Sequence, residues 1–434
     1  MNPVVNRTFT SSSRALRSAA MLVAALAFVF LPAATAAPRH RSTWGQILLG
    51  GGTCQENGPL ASAELYDPLS NRFANTTMKS ARGGATATLI TSGRDAGQIL
   101  ISGGYRYQFD MLDKYQELAS TELYDPATNS FRRGPAMRAA RAYHTATVLT
   151  AGPRAGDVLI AGGQTSRDHE GYLFLTPTEL YDPVTRRFVS GPNLHTGRLG
   201  NTATPIVAGP NRGKILIAGG VDSKDNPLAS TELYDLWSNQ IESGPSMNVA
   251  RSNHTATTIV AGRSSGRILI AGGDSKGGFQ PLATTELFDP VTNRFMPGPS
   301  MKTARESHTA TVLSSGPNAG KILIAGGVNL QYGDQNGVLA STELYDPERN
   351  AFAPGPSMNW ARRDHTATVI ESGPNAGKIL LSGGTADPLI VPNDLYDPAT
   401  NSFLPKGYVP NREGGCFDTF AIQLPPRPPH NLHR

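Results

Sequence analysis

The sequence predicts an all-β fold, a seven-bladed β-propeller with four antiparallel strands in each blade. Three observations predict it. Seven apolar stretches each run into a Gly-Gly pair, at Gly51-Gly52, Gly103-Gly104, Gly162-Gly163, Gly219-Gly220, Gly272-Gly273, Gly326-Gly327 and Gly383-Gly384. The spacings are 52, 59, 57, 53, 54 and 57 residues, a period near that of a propeller blade. An E-L-Y-D-P-like string follows each pair, so every unit carries strand-forming segments at fixed places.

The chain opens with a segment outside this repeat. Arg7, Arg14 and Arg17 precede the apolar stretch Ala19 to Leu31, and Ala34-Thr35-Ala36 forms an A-x-A-like cleavage site. Residues 1–36 therefore read as a secretory signal peptide, and 37–434 as one propeller domain with blades over about 45–424 and a short tail, 425–434. The apolar stretch is short for a spanning helix, although an uncleaved anchor is the competing reading. Export to the periplasm or the exterior is the expected localisation. No membrane span is expected once the leader is cut.

The sixth unit shows the elements in order. Ser307 to Leu313, rich in Thr and Val, reads as the first strand. Ser315 to Gly320 is a turn, and Lys321 to Ala325 is a short apolar strand buried on both faces. After Gly326-Gly327 and a loop, Ala340 to Tyr345 forms a third strand. Asp346, Pro347 and Asn350 make the next turn, Ala351 to Ala353 is the fourth strand, and Gly355 to Met358 leads to Arg362 of the next unit.

The ring closes across the chain ends. Gln46 to Gly50 matches a second strand, and Phe417 to Leu424 sits where a first strand belongs. The last strand is thus expected to complete the first blade and to protect its edge. The same pairing brings Cys54 and Cys416 towards each other. A disulfide there would close a long loop, stabilising by roughly 5 kcal/mol in the chain-entropy picture. Two free thiols are the alternative.

At the Gly-Gly pair, the Tyr, the Phe and the trailing Arg, the units resemble the Kelch repeat, with a propeller like the central one of galactose oxidase, here of a secreted bacterial type. Kelch units carry Trp where this chain has Phe73, Phe131, Phe188, Phe295, Phe352 and Phe403, with Ile241 in the fourth blade. The resemblance covers essentially the whole mature chain. It implies a binding or interaction module more readily than an enzyme, and fold alone does not assign function.

Charge adds little. The three arginines of the leader carry the formal net charge from +5 to +2 when they are removed, and no Lys/Arg run points to nucleic acid. There is no Cys/His spacing for zinc, no H-E-x-x-H and no phosphate-cradling loop. No cofactor, no metal and no catalytic residue are expected, and a monomer is.

Several recurrent polar residues look functional and are read as structural. Glu64, Glu122, Glu179, Glu232, Glu286 and Glu343, with Asp394, recur before Leu-Tyr or Leu-Phe. Arg82, Arg141, Arg198, Arg251, Arg305, Arg362 and Arg412 recur ahead of each first strand. Seven copies suit buried charges that link strands or blades. His144, His254, His308 and His365 share one position, filled by Asn201 in another blade. A histidine hydrogen-bonded to backbone is expected there, rather than a metal ligand.

Variation concentrates in the loops after Gly-Gly and in the connections before each first strand, which emerge on one face around the channel mouth. Blade two offers Tyr105, Tyr107, Phe109 and Tyr115, and blade three Tyr172 and Phe174. Blade six adds Tyr332, and the connection into blade seven adds Trp360, Arg363 and Asp364. Aromatic rings interleaved with charges suit a glycan or a peptide, while loops that simply pack on one another are the alternative.

The expected function is a non-catalytic binding module for a glycan or protein partner. The alternative is a sugar-acting enzyme on the rim. A resemblance to sialic acid mutarotases would place acid/base work on Asp364 or Glu306 with Arg363. A resemblance to copper radical oxidases would need a Tyr–Cys cross-link and copper ligands that the sequence does not supply.

Overall fold

The computed structural model describes residues 43–54, 58–108, 114–167, 171–276, 280–329, 337–385, 391–408 and 419–426. All of these belong to the compact unit His40–Arg434. They form seven four-stranded antiparallel sheets, and the expected propeller is what is seen. Among the described residues no helix is long and apolar enough to cross a membrane.

Blade 6 follows the expected order, with an inner strand Thr309–Val312, a second strand Ile322–Ala325, a third strand Thr342–Asp346 and an outer strand Ala351–Pro354. Each inner strand touches the inner strand of the next blade, and that of blade 7 touches that of blade 1, so the ring is continuous. Blade 1 is built from both ends of the chain. Phe420–Gln423 pairs antiparallel with Ile47–Gly50, in the register Ile47 to Gln423 and Gly50 to Phe420. Cys416 lies outside the described residues and nothing is described of the Cys54 side chain, so the disulfide falls outside what the structure describes.

The core is a set of seven layers between blades. Side chains alternate along a strand, so consecutive residues of the buried second strands serve opposite neighbours. Leu48 joins Ile99, Ile101 and Tyr124 of blade 2, while Ile47 and Leu49 join Ile370, Leu380 and Leu395 of blade 7. Each such side chain, fully buried, contributes about 1.5–3 kcal/mol by transfer from water. The Phe that stands where Kelch units have Trp packs on the Tyr of the same blade, with ring centroids 4.8 Å apart for Tyr124 and Phe131 and 5.2 Å for Tyr345 and Phe352.

The Gly-Gly pairs are required by backbone geometry. Gly103 and Gly104 have φ of 59° and 91°, in the left-handed region that a Cβ disfavours. A Cβ on Gly103 would lie 2.3 Å from the Arg141 carbonyl oxygen of the next blade's connection. The Gly104 N–H donates to that same carbonyl at 2.9 Å, so each pair seats the following blade.

Candidate functional site

The connections that cross between blades are pinned by buried ion pairs. Arg82 donates to Glu122 at 2.9 Å, Arg251 to Glu286 at 3.1 Å and Arg362 to Asp394 at 3.0 Å, with Arg141–Glu179, Arg198–Glu232 and Arg305–Glu343 alike. The guanidinium also donates to the first Gly carbonyl, as Arg251 does to Gly272 at 2.6 Å. The carboxylate in turn accepts backbone N–H groups of the connection, Asn248 and Val249 on Glu286. Burial pulls these guanidinium pKa values down, and the facing carboxylate opposes it. Arg412, the seventh of the series, lies outside the described residues.

The histidines differ from expectation in their partner. Each shares a hydrogen bond with a threonine side chain of the preceding blade's inner strand: His144 with Thr86 at 3.0 Å, His254 with Thr202 at 3.1 Å, His308 with Thr255 at 3.0 Å and His365 with Thr309 at 3.0 Å. Thr hydroxyls on the channel side of one blade face the next blade's histidine, which the sequence of a single unit does not reveal. Burial lowers His144, His254 and His308 to about 3, so the rings are neutral.

Just before these histidines a belt of left-handed residues circles the channel mouth. Gly84, Tyr143, Gly200, Asn253, Ser307 and Asp364 all have positive φ. Tyr143, Asn253, Ser307 and Asp364 donate their N–H to the belt residue of the preceding blade, Asn253 for instance to the Gly200 carbonyl at 3.0 Å. The belt's side chains differ from blade to blade, with aromatic Tyr143 in blade 3, polar Asn253 and Ser307 in blades 5 and 6, and Asp364 in blade 7.

On the aromatic side, hairpins stand on the rim: Tyr105–Gln108 with Lys114–Glu117 in blade 2, and Gln164–Arg167 with Gly171–Phe174 in blade 3. The two hairpins pack side by side. Glu117 accepts from the Ser166 N–H at 2.9 Å and from the Ser166 hydroxyl, and it is buried. Tyr105 is buried, bonded to Thr53 at 2.6 Å, and its ring supports Tyr115 at 5.0 Å and Tyr143 at 5.6 Å. Tyr107 meets Tyr115 at 5.7 Å. Tyr115, Tyr143 and Tyr172 are 42%, 37% and 50% exposed. Tyr172 lies across its hairpin from Ser166, the residue bonded to Glu117, and burial, Glu117 and Tyr115 raise its hydroxyl above its ordinary value.

The candidate residues are thus distributed as follows. Tyr105, Tyr107 and Tyr172 come together. Phe174 is buried under its hairpin, so its ring packs inward. Trp360 lies under Lys406, whose Nζ is 4.2 Å from the ring centroid, on the side of blade 7 that follows its outer strand. Phe109 and Tyr332 lie outside the described residues. Tyr143 was not among the candidates. Its signal was available, because it is an aromatic residue at a repeat position that otherwise holds Gly, Asn, Ser or Asp.

On the charged side, Arg363 meets Asp364 at 3.5 Å, and Asn253 donates to Glu306 at 3.2 Å. Burial raises both carboxyls, Glu306 further through Asp274 and Asp364. The string Gly262-Arg263-Ser264-Ser265-Gly266 has the spelling of a nucleophile elbow. It forms a turn between two strands of blade 5 on the opposite face, where the buried Ser264 is bonded to Tyr345, so it lacks the strand-to-helix setting that motif needs.

Seven closed blades, each with Gly-Gly and an aromatic third-strand residue, and six buried arginines in register among the described residues, make a β-propeller of Kelch-like repeats. The comparisons with known proteins agree with that class. The chain is similar to alpha-scruin of Limulus polyphemus, 24% identical over 300 residues, which is 67% of this chain and 29% of that protein. It is similar to Kelch-like protein 38 of Rattus norvegicus, 26% identical over 259 residues, 59% of this chain and 39% of that protein. The chain therefore spans well under half the length of these curated relatives. No family model matches it.

Proposed function

We propose that this chain is a non-catalytic binding module whose ligand docks on the tyrosine shelf of blades 2 and 3. One observation carries the reading. Tyr143, a bulky residue, is held at φ 57° with its ring exposed and stacked towards Tyr105. That conformation costs roughly 1–3 kcal/mol, the kind of strain that collects at ligand sites. Tyrosines on a braced hairpin offer apolar area and a hydroxyl at little cost in side-chain entropy. A protein segment is the ligand the Kelch resemblance favours, and a glycan is the other ligand such rings suit. Export by the arginine-led leader is part of the proposal.

The test compares the wild type with a Tyr107→Ala, Tyr115→Ala, Tyr172→Ala triple variant on a glycan array and in pull-downs from envelope extract. A partner or saccharide retained by the wild type and lost by the folded variant supports the shelf. Equal retention by both sinks it.

A second reading has its own support in the raised Glu306 and Asp364 carboxyls beside Arg363. Such groups suit acid/base work on a sugar, as in a sialic acid mutarotase-like enzyme. Anomer exchange of sialic acid followed by NMR, accelerated by the wild type and not by Glu306→Gln, would favour it.

A further inference from the structure

The face opposite the tyrosine shelf breaks the repeat at one place. Where the third strand turns into the outer strand, the blades use an Asn in the left-handed region: Asn71, Asn129, Asn239, Asn293, Asn350 and Asn401, with φ between 48° and 54°. In most blades its amide oxygen accepts the hydroxyl of the blade's buried Tyr, as Asn129 does from Tyr124 at 3.0 Å and Asn401 from Tyr396 at 2.8 Å. Asn suits that conformation better than longer side chains.

Blade 3 alone puts an arginine there, Arg186, at φ 57°. The turn asks for nothing that arginine supplies better than asparagine, so the guanidinium itself explains the choice. The facing turn of blade 2, between its inner and second strands, departs as well. It carries Asp95 where blades 4, 6 and 7 have Asn211, Asn318 and Asn375.

Asp95 is fully buried. Arg186 and Arg132 both donate through Nη2 to the same oxygen, Asp95 Oδ1, each at 2.6 Å. Two guanidinium groups are therefore held within a few ångströms of each other by one carboxylate. Arg132 is held further by Gln98, at 3.1 Å. A single arginine would neutralise Asp95, and the second leaves a surplus positive charge. Both arginine side chains remain 43% exposed. Each guanidinium has five N–H donors in a planar fork, so donors remain for a second anion. Arg94, next to Asp95 in the chain, is exposed on the same turn.

We propose that this joint between blades 2 and 3 is an oxyanion site that takes a phosphate or sulfate group, with Arg132 and Arg186 as its ligands and Asp95 as the buried post that positions them. A tetrahedral anion has oxygens enough to span both forks, and charge-assisted bonds of this kind are the strong ones. The site is independent of the tyrosine shelf, on the other end of the same two blades.

The test is calorimetric titration of the full chain with inorganic phosphate and, separately, with inorganic sulfate, at constant ionic strength. Saturable one-to-one binding of either anion is expected, and which one binds more tightly identifies the group. Arg186→Asn restores the residue of the other six blades and so keeps the turn. It should weaken binding about tenfold or more. Arg187→Gln, which removes an exposed arginine outside the Asp95 pair, should leave binding unchanged. No saturable binding by the folded wild type overturns the proposal. So does an affinity that Arg186→Asn leaves untouched, or an equal loss in Arg187→Gln, which would show diffuse attraction between charges instead.

Discussion

Tyr143 and Gly103 occupy the same left-handed region of backbone space for opposite reasons. Gly103 is there because a Cβ would meet the Arg141 carbonyl at 2.3 Å. Gly103→Ala should therefore destabilise by at least about 2 kcal/mol, read as a drop in the urea midpoint at unchanged slope. Tyr143 is there against its own preference. Tyr143→Asn, which copies the residue of blade 5, should raise stability by about 1 kcal/mol while lowering retention of whatever the shelf binds. A variant that gains nothing in stability would show that the strain is absent. At this scale the sequence marked Tyr105, Tyr107 and Tyr172 because aromatic residues crowd their loops. It did not mark Tyr143, whose signal shows only when the blades are compared at that one position, nor the inward turn of Phe174, since hairpin packing is a tertiary event.

Among elements, the connections between blades are tied by buried charge as well as by apolar contact. Glu286 accepts two backbone N–H groups of its connection besides the guanidinium of Arg251. Glu286→Gln leaves that guanidinium buried without its counter-charge and should cost about 3–5 kcal/mol in equilibrium unfolding. An apolar replacement of both partners is not expected to recover it, because the backbone donors would stay unmet. Blade 4 shows the converse. Among the described residues neither Asn201 Oδ1 nor Asn201 Nδ2 has a partner, although both are buried. Asn201→His, matching four other blades, should reach Thr145 and add about 0.5–1.5 kcal/mol, seen as a higher Tm. The Arg and Glu series were legible in the sequence as structural from their number alone. The histidine–threonine bond was not, because its two ends lie on different blades, 52 residues apart in the case of His254 and Thr202.

For the whole molecule, the neutral histidines set an acid limit. Above their ordinary value of 6.5 the rings are uncharged in the folded and unfolded chain alike, and pH has no leverage through them. As pH falls from 6.5 towards about 3, the unfolded chain takes up protons that the folded chain refuses. Stability should fall through that window by up to about 1.4 kcal/mol per pH unit for each ring. Glu306 and Asp364, raised by burial, act with the opposite sign and offset part of it. Urea midpoints between pH 8 and pH 4 check this, and His308→Gln should flatten the slope. The architecture itself was legible from end to end, down to the closure of blade 1 by the last strand, because the repeat fixes period, strand order and register together. The location of a ligand was less legible, because repetition speaks for what all blades share and a site is where they differ.

Gln423 reaches back to Gln46 across 377 residues of chain, so the inner edge of Ile47–Gly50 stays open until Phe420–Gln423 is made. During synthesis no early blade can complete the ring, and a chain that stops short has lost the piece that ends its exposure. Long-range pairing of this kind is slow and leaves edges open to other chains while it waits. Closure of blade 1 therefore reports that every blade between its two halves has already been made.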